Sequence, residues 1–271
     1  MNDRAIGVFD SGLGGLTCVK ELKRLMPKET IIYFGDTGRV PYGTRSRETI
    51  IKYVSQNIRF LKTFDVKLIA AACGTASTLA LSEARDAAGD IPVIGVVEGA
   101  SEDAVKATKN GRIGVIGTPA TIGSGAYEKA LKSIKSDVYI KSAACPLFVP
   151  VVENGRTGKD DPIVKILVDE YLRGIKEAGC DALILGCTHY PLLREAIAEY
   201  LGEGTALIDS GQSEAAKIAR YLNENGLAAE SARPARFFVS DANVYNFSAL
   251  AGMFLGEDIG GDVEKTDIEK Y

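Results

Sequence analysis

The sequence has no tryptophan and only one histidine, His189, among its 271 residues. A single histidine excludes a histidine-rich metal site. The five cysteines are an odd number, and the first apolar run, residues 5–9, is too short for the core of a signal peptide. We therefore expect free thiols rather than a disulfide framework.

Long apolar runs and a strong charge of either sign are also missing. The longest runs, such as residues 68–73, are far shorter than the ~20 residues that span a bilayer. Lysine and arginine total 32 against 36 aspartate and glutamate, for a net charge of −4. This balance gives no electrostatic footprint for nucleic acid or an anionic membrane. We expect a cytoplasmic protein that binds neither.

Short apolar runs alternate with longer amphipathic stretches along the chain. Helices are predicted over 46–64 and 161–178, from helical spacing of apolar residues in the first and an Asp-Pro start in the second. The predicted strands are 5–9, 31–34, 68–73, 93–97, 112–116, 138–142, 182–187, 206–208 and 236–239. The alternation predicts an α/β fold with largely parallel sheets.

A weak internal repeat divides the chain. Residues 6–9 and the turn after them resemble residues 113–116 and the turn that follows those. Residues 68–73 resemble residues 183–187, so the similar segments occur in the same order. The repeat predicts two α/β domains of related design. We place the first domain at residues 1–97 plus 208–271 and the second at 98–207, so that the end of the chain completes one of the two sheets.

Two cysteines stand where predicted strands end and helices begin. Ligands bind beyond these strand ends in parallel sheets. Cys73 and Cys187 occupy matching places in the two halves, and a helix N-terminus there would lower a thiol pKa toward neutrality and attract carboxylates. We expect Thr75 or Ser77 to cap the first helix and Pro191 to lie in the first turn of the second. The two thiols are predicted to do acid–base chemistry.

The other cysteines, at positions 18, 145 and 180, are expected to be small buried hydrophobic residues. His189 follows Cys187 by two positions in a polar turn. Asp10 opens a turn whose glycines let backbone approach a ligand closely, whereas Asp36 is expected only to cap a turn. The glycine-rich turn is not a dinucleotide fingerprint, because Thr17 stands at its last glycine position, and there is no P-loop.

Several segments together resemble the glutamate racemases, which belong to the cofactor-independent amino-acid racemases that use two cysteines. These segments are 10–15 (Asp-Ser-Gly-Leu-Gly-Gly), 41–43 (Pro-Tyr-Gly), 73–77 (Cys-Gly-Thr-Ala-Ser), 117–118, 145–150 and 186–191 (Gly-Cys-Thr-His-Tyr-Pro). The resemblance covers nearly the whole chain, and the last segment is highly specific. It implies two pseudo-symmetric domains with the active site between them, a homodimer, no cofactor and no metal.

The resemblance also implies a role for each site residue. Cys73 and Cys187 match the catalytic thiols, acting on D- and L-glutamate respectively, and Asp10 and His189 match the side chains that assist them. The matching substrate-binding residues are Ser11, Thr75, Thr118 and Thr188 for the α-amino and α-carboxylate groups, Tyr42 and Gly43 for the side-chain carboxylate through backbone N–H, and Glu153 near His189. Gly74 departs from the family, which usually has a substrate-binding asparagine there.

Interconversion of L- and D-glutamate for peptidoglycan synthesis is the predicted function, and alternatives stay open. The nearest is a racemase of another amino acid such as aspartate, although aspartate-type members usually carry glutamate where His189 stands. A cysteine hydrolase using Cys73 and His189 would form an acyl adduct and would not need Cys187. A catalytically impaired relative that acts as a binding protein is the third, because of Gly74.

Overall fold

The chain folds into alternating strands and helices. The computed structural model describes residues 2–241, 247–257, 259 and 263–271. The strands are β1 (Ala5–Asp10), β2 (Ile31–Gly35), β3 (Val66–Ala71), β4 (Val93–Gly95), β5 (Arg112–Gly117), β6 (Tyr139–Ala144), β7 (Ala182–Leu185), β8 (Ala206–Asp209), β9 (Arg236–Val239) and β10 (Val263–Lys265).

The helices that connect and cover these strands vary in length from one to four turns. They are α1 (Leu16–Leu25), α2 (Arg47–Leu61), α3 (Gly74–Leu79), α4 (Leu81–Ala88), α5 (Val96–Ala107), α6 (Pro119–Gly123), α7 (Ala126–Ile134), α8 (Phe148–Glu153), α9 (Pro162–Glu177), α10 (Arg194–Leu201), α11 (Ser210–Glu224) and α12 (Phe247–Leu255), with 3₁₀ turns at Tyr42–Thr44, Tyr190–Leu193 and Ile268–Lys270. None of the described helices combines the length and the apolar character that crossing a membrane requires.

The described strands form two sheets in which every pairing is parallel. The first has the order β10-β9-β2-β1-β3-β4 and the second the order β6-β5-β7-β8. The orders β2-β1-β3-β4 and β6-β5-β7-β8 are equivalent, so the predicted repeat corresponds to two halves of the same topology. The predicted α/β class with two related parallel sheets is confirmed, and so is the expectation that the end of the chain completes one sheet.

All the predicted strands are present, and the differences lie at their ends. The run 68–73 forms β3 only as far as Ala71, and β7 ends at Leu185, so both cysteines lie just beyond their strands. Val96 begins α5 instead of continuing β4. β10 has no strong apolar signal and was not predicted. Its three residues add to the edge of the first sheet beside β9.

The two predicted helices are present as α2 and α9. Ser46 caps α2 by accepting a hydrogen bond from the Thr49 N–H, and Asp161 caps α9 with proline following it. β1 to β4, β9 and β10 lie within 1–97 and 208–271, and the second sheet lies within 98–207 except for the last residues of β8. The domain boundaries themselves stay a prediction.

Helices α1, α5 and α11 pack together between the sheets, and one cluster of buried apolar side chains draws on both halves, including Leu68 and Leu183. Because all strands are parallel, the carboxyl ends of β1, β3, β5 and β7 carry the loops in which the predicted site residues lie.

Candidate active site

Both predicted catalytic cysteines line one small internal cavity. Its volume is about 30 Å³, enough for one or two water molecules. Its walls come from both halves of the chain: Ser11, Val40, Pro41, Tyr42, Gly43, Cys73, Gly74 and Thr75 from the first, and Thr118, Val149, Gly186, Cys187, Thr188 and His189 from the second. The structure therefore brings together residues that are far apart in the sequence.

Cys73 is the N-cap residue of α3 and is buried. Burial raises the pKa of its thiol to about 12, and the negative charge of Asp10 adds to the shift. The nearby Ala76 N–H and Ser11 side chain act in the opposite direction and lower the pKa. The expectation that the helix N-terminus would bring this pKa toward neutrality is wrong for this buried thiol, because the loss of hydration outweighs the local donors.

Cys187 belongs to a chain of contacts that reaches the surface. Its Sγ lies 3.8 Å from His189 Nδ1, and His189 Nε2 lies 3.1 Å from Glu153 Oε1. Burial by itself lowers the pKa of His189, but the interactions with Cys187 and Glu153 outweigh it and raise the pKa to about 10. Both neighbours favour the protonated imidazole, which lies between the Cys187 sulfur and the half-exposed Glu153 carboxylate.

Asp10 ends β1 and lies fully buried behind the cavity wall. Its Oδ2 accepts a hydrogen bond from the Gly12 N–H at 2.9 Å, and Oδ1 has no partner among the described residues. Burial raises its pKa, against the opposing charge of His189 and nearby N–H groups. The glycine turn permits this packing, since a Cβ at Gly15 would lie 2.5 Å from Asp10 Cβ.

Two threonines join the halves across the cavity. Thr75 Oγ1 in α3 and Thr118 Oγ1, the N-cap of α6, are 3.0 Å apart, and Thr118 also accepts a hydrogen bond from the Thr121 N–H. Beside them, a Cβ at Gly74 would lie 2.3 Å from the Gly186 carbonyl oxygen. The closed form of this chain thus has no room for a side chain at position 74.

The segment 42–43 contributes backbone to the cavity and turns its aromatic side chain away. The Tyr42 hydroxyl donates to the buried Asp36 carboxylate, while Gly43 lies so close to Thr118 that a Cβ would be 2.7 Å from Thr118 Cβ. Asp36 was expected only to cap a turn. It instead binds side chains from several segments, a role that no local sequence signal indicates.

Other expectations about capping are also wrong. Cys73 itself occupies the N-cap position of α3 and has no side-chain capping bond. Ser77 Oγ donates to the Ala71 carbonyl at 2.6 Å and accepts from the Val96 N–H, so it ties α3 to β3 and α5. Pro191 lies in the first turn of the 3₁₀ helix Tyr190–Leu193 that follows Cys187, as expected.

The sequence pattern missed Val40, which lines the cavity beside Pro41. An apolar residue in a loop carries no distinguishing signal, and only the fold places it there. Among the residues that the structure describes, His, Cys, Asp and Glu side chains nowhere gather in threes as metal ligands do.

Comparison with known proteins agrees with the resemblance found in the motifs. A sequence model of the family described as Asp/Glu/Hydantoin racemase matches residues 6–218. The glutamate racemase of Geobacter metallireducens is 45% identical over 268 residues, covering 98% of this chain and 97% of that protein. That of Chlorobaculum tepidum is 45% identical over 265 residues, covering 97% and 96%.

Solved structures agree with the sequence comparison. The crystal structure of glutamate racemase from Francisella tularensis in complex with D-glutamate superposes with a TM-score of 0.93 at 39% identity, covering 100% of both chains. The Picrophilus torridus aspartate racemase is 17% identical with a TM-score of 0.59 over 81% of this chain and 94% of that one, and shares the fold alone. With both halves, both thiols and the closed cavity in place, the chain belongs to the Asp/Glu/hydantoin racemase family.

Proposed function

We propose that the protein interconverts L- and D-glutamate by removing and returning the α-proton, and so supplies D-glutamate for peptidoglycan synthesis. The observation that carries the proposal is that Cys73 and Cys187, one from each half of the molecule, line one closed cavity. Inversion of a carbon centre needs a base on one face and an acid on the other, and two thiols from related halves provide that pair.

The two sulfurs have different charged neighbours. The pKa of Cys73, raised to about 12 by burial, keeps it a thiol at neutral pH. The imidazolium of His189, with its pKa raised to about 10 by Cys187 and Glu153 against the effect of burial, lies beside the other sulfur. A neighbouring cation stabilises a thiolate. In the direction from L-glutamate, Cys187 would remove the α-proton and Cys73 would return a proton to the opposite face.

Once the proton has crossed, the sulfurs have exchanged states, and the protein is ready for the D-enantiomer. Before another L-glutamate reacts, Cys73 must regain a proton, which the negative charge of Asp10 favours, and Cys187 must lose one, for which the His189–Glu153 pair lies beside it. Glu153 is half-exposed and gives His189 a route to solvent, whereas Asp10 is buried.

The substrate would be held by groups that already converge on the cavity. Ser11, Thr75, Thr118 and Thr188 offer hydroxyls for the α-amino and α-carboxylate groups, and 42–43 offers backbone N–H to the side-chain carboxylate. The buried walls limit contact with bulk water, which would strengthen the electrostatic interactions that stabilise the carbanion at the α-carbon. Gly74 supplies no side chain, so its N–H is the group that this position can offer.

Incubation of the purified protein with L-glutamate, D-glutamate and L-aspartate, followed by chiral chromatography, tests the proposal. We expect both glutamate enantiomers to reach a racemic mixture and aspartate to react at least about a hundredfold more slowly. Inversion of aspartate in place of glutamate, glutamate bound without inversion, or an acyl adduct seen by mass spectrometry would each replace the proposal with one of its alternatives.

We also propose that the protein is a cytoplasmic homodimer. Leu147, Ile163 and Ile166 expose apolar side chains around α8 and α9, and Ile166 is 65% exposed. Grouped exposed apolar residues favour association with another protein surface. Sedimentation equilibrium should give twice the chain mass, and Ile166→Glu should lower the dimer fraction. A monomer at micromolar concentration would contradict this part of the proposal.

A further inference from the structure

Asp36 lies at the end of β2 and is completely buried, yet both its oxygens are fully bonded. Arg39 Nε donates to Oδ1 at 3.0 Å and to Oδ2 at 2.7 Å. Ser240 Oγ donates to Oδ1 at 2.8 Å, and the Tyr42 hydroxyl donates to Oδ2. A buried carboxylate with this many donors is stable only while all of them stay in place.

Tyr42 is the donor that leads to the cavity. Its hydroxyl also accepts a hydrogen bond from Asn57 Nδ2 at 3.1 Å, and its ring packs on Tyr53 with centroids 5.5 Å apart. The side chain is buried on all sides. The peptide groups of residues 42–43 are therefore fixed from behind, while their other side faces the cavity.

A second layer of contacts holds Arg39. Its guanidinium stacks on the Tyr53 ring at 4.1 Å, and Nη1 donates to Glu269 Oε1 at 3.0 Å. Ser240 also accepts a hydrogen bond from the Gly38 N–H at 2.8 Å. Segments far apart in sequence, from α2, from the end of β9 and from the last 3₁₀ turn, thus converge on one carboxylate.

Burial raises the pKa of Asp36, and the bonds from Tyr42, Arg39 and Ser240 oppose that shift. All the groups that face the two oxygens are donors. An amide at this position would direct its own N–H groups toward those donors and leave one of them unpaired. Such a change would loosen Tyr42, although Asp36 itself does not line the cavity.

We propose that Asp36 is a positioning residue for the substrate's side-chain carboxylate. By fixing Tyr42 it holds the 42–43 peptide groups where a second carboxylate of the substrate would meet them, and so sets the preference for an acidic over an amide side chain. The inference rests on the proposed function, in which this segment receives that carboxylate.

The test compares Asp36→Asn with the milder variants Tyr42→Phe and Ser240→Ala, which each remove one donor. Asp181→Asn is the matched control. It removes a partly buried charge that accepts hydrogen bonds from Thr108 and two backbone N–H groups at the opposite end of β7 from Cys187. Calorimetry with racemic glutamate and racemic glutamine gives both dissociation constants for each protein, and kinetics give KM and kcat.

In Asp36→Asn we expect glutamate to bind about tenfold more weakly with glutamine unchanged, so that the preference falls about tenfold. KM should rise with kcat changed less than about threefold. Tyr42→Phe and Ser240→Ala should move the preference about threefold in the same direction. Asp181→Asn should lower Tm and leave the preference unchanged.

An unchanged preference for glutamate over glutamine in Asp36→Asn would overturn the inference. If Asp36→Asn does not fold, an unchanged preference in both Tyr42→Phe and Ser240→Ala would overturn it. Equal losses of affinity for glutamate and glutamine would also overturn it, because a general distortion of the fold weakens the binding of both ligands. A racemic ligand undergoes no net conversion during the titration, so binding is measured whether or not the protein is active. A wild-type protein that binds glutamate but does not racemise it would therefore refute the proposed function and leave this test intact.

Discussion

Cys73 illustrates how burial overrides a local electrostatic rule. Its place at the start of α3 was predictable from the sequence, because a strand ends and small polar residues follow. The direction in which its pKa shifts was not predictable, because it depends on how completely the two halves bury the thiol. Burial raises the pKa to about 12 despite the Ala76 N–H. Local pattern finds the residue, but its charge state is a property of the assembled cavity.

His189 should make the stability of the protein depend on pH. The ordinary pKa of a histidine is 6.5. Burial lowers the pKa of His189, but Cys187 and Glu153 raise it by more, so that it is about 10 in the folded protein. The stabilisation is complete below about pH 6.5 and disappears as the pH rises toward 10. We expect the difference in free energy of unfolding between wild type and His189→Gln to be largest at pH 6 and smallest at pH 10.

Urea unfolding of both proteins at pH 6, 8 and 10 measures this difference. Glu153→Gln provides the partner control, because it removes part of the same interaction and should reproduce part of the pH dependence. A difference between wild type and His189→Gln that stays constant from pH 6 to 10 would contradict the account.

Gly74 is the second residue whose role the motif alone did not settle. A Cβ there would lie 2.3 Å from the Gly186 carbonyl oxygen. Gly74→Asn should therefore force the halves apart and cost about 1–3 kcal/mol of stability. Gly123→Asn is the control, because nothing lies within 4 Å of its Cβ position. Equal Tm values for the two variants, measured by calorimetry, would show that the cavity has room at position 74.

At the scale of elements, the sequence predicted best those strands that are buried along most of their length. Most of β1 and of β3 is a continuous apolar run, residues 5–9 and 68–71, as buried strands of a parallel sheet covered on both faces require. β10 is partly exposed and carries Glu264 and Lys265, so no periodicity distinguishes it from a loop. The capping of α3 was missed for a related reason: Ser77 prefers partners in β3 and α5 that only the folded chain brings near.

Helix α11 packs against both α1 and α5, so its start should matter for stability. Asp209 caps it by accepting hydrogen bonds from the Gly211 N–H at 2.9 Å and the Gln212 N–H at 3.1 Å. Asp209→Ala should cost about 1–2 kcal/mol of unfolding free energy. Asp209→Asn keeps a good cap and should cost much less. Chemical denaturation compares them, and equal losses would refute the capping role.

At the scale of the whole molecule, the closed cavity is the feature that sequence could suggest but not measure. The repeat predicted two halves of one design, and the equivalent strand orders confirm it. A volume of about 30 Å³ does not admit an amino acid. The halves must therefore separate for substrate to enter, and close again to exclude water.

Separation of the halves should be visible in thiol labelling. Cys73 and Cys187 are 5% and 7% exposed, and Cys18 and Cys145 are 0% exposed. Opening of the cleft exposes the first pair, whereas the second requires disruption of the core. With iodoacetamide and mass spectrometry we expect the first pair to react at least about tenfold faster, and glutamate to slow only that pair. One common rate for all these thiols would contradict cleft opening.

The most direct test of the two-thiol account is α-proton exchange in deuterated water by Cys73→Ser and Cys187→Ser. Racemisation should fall at least about a thousandfold in both. Cys73→Ser should still exchange the α-proton of L-glutamate without inverting it, and Cys187→Ser that of D-glutamate. Racemisation at the wild-type rate in either variant would contradict the account.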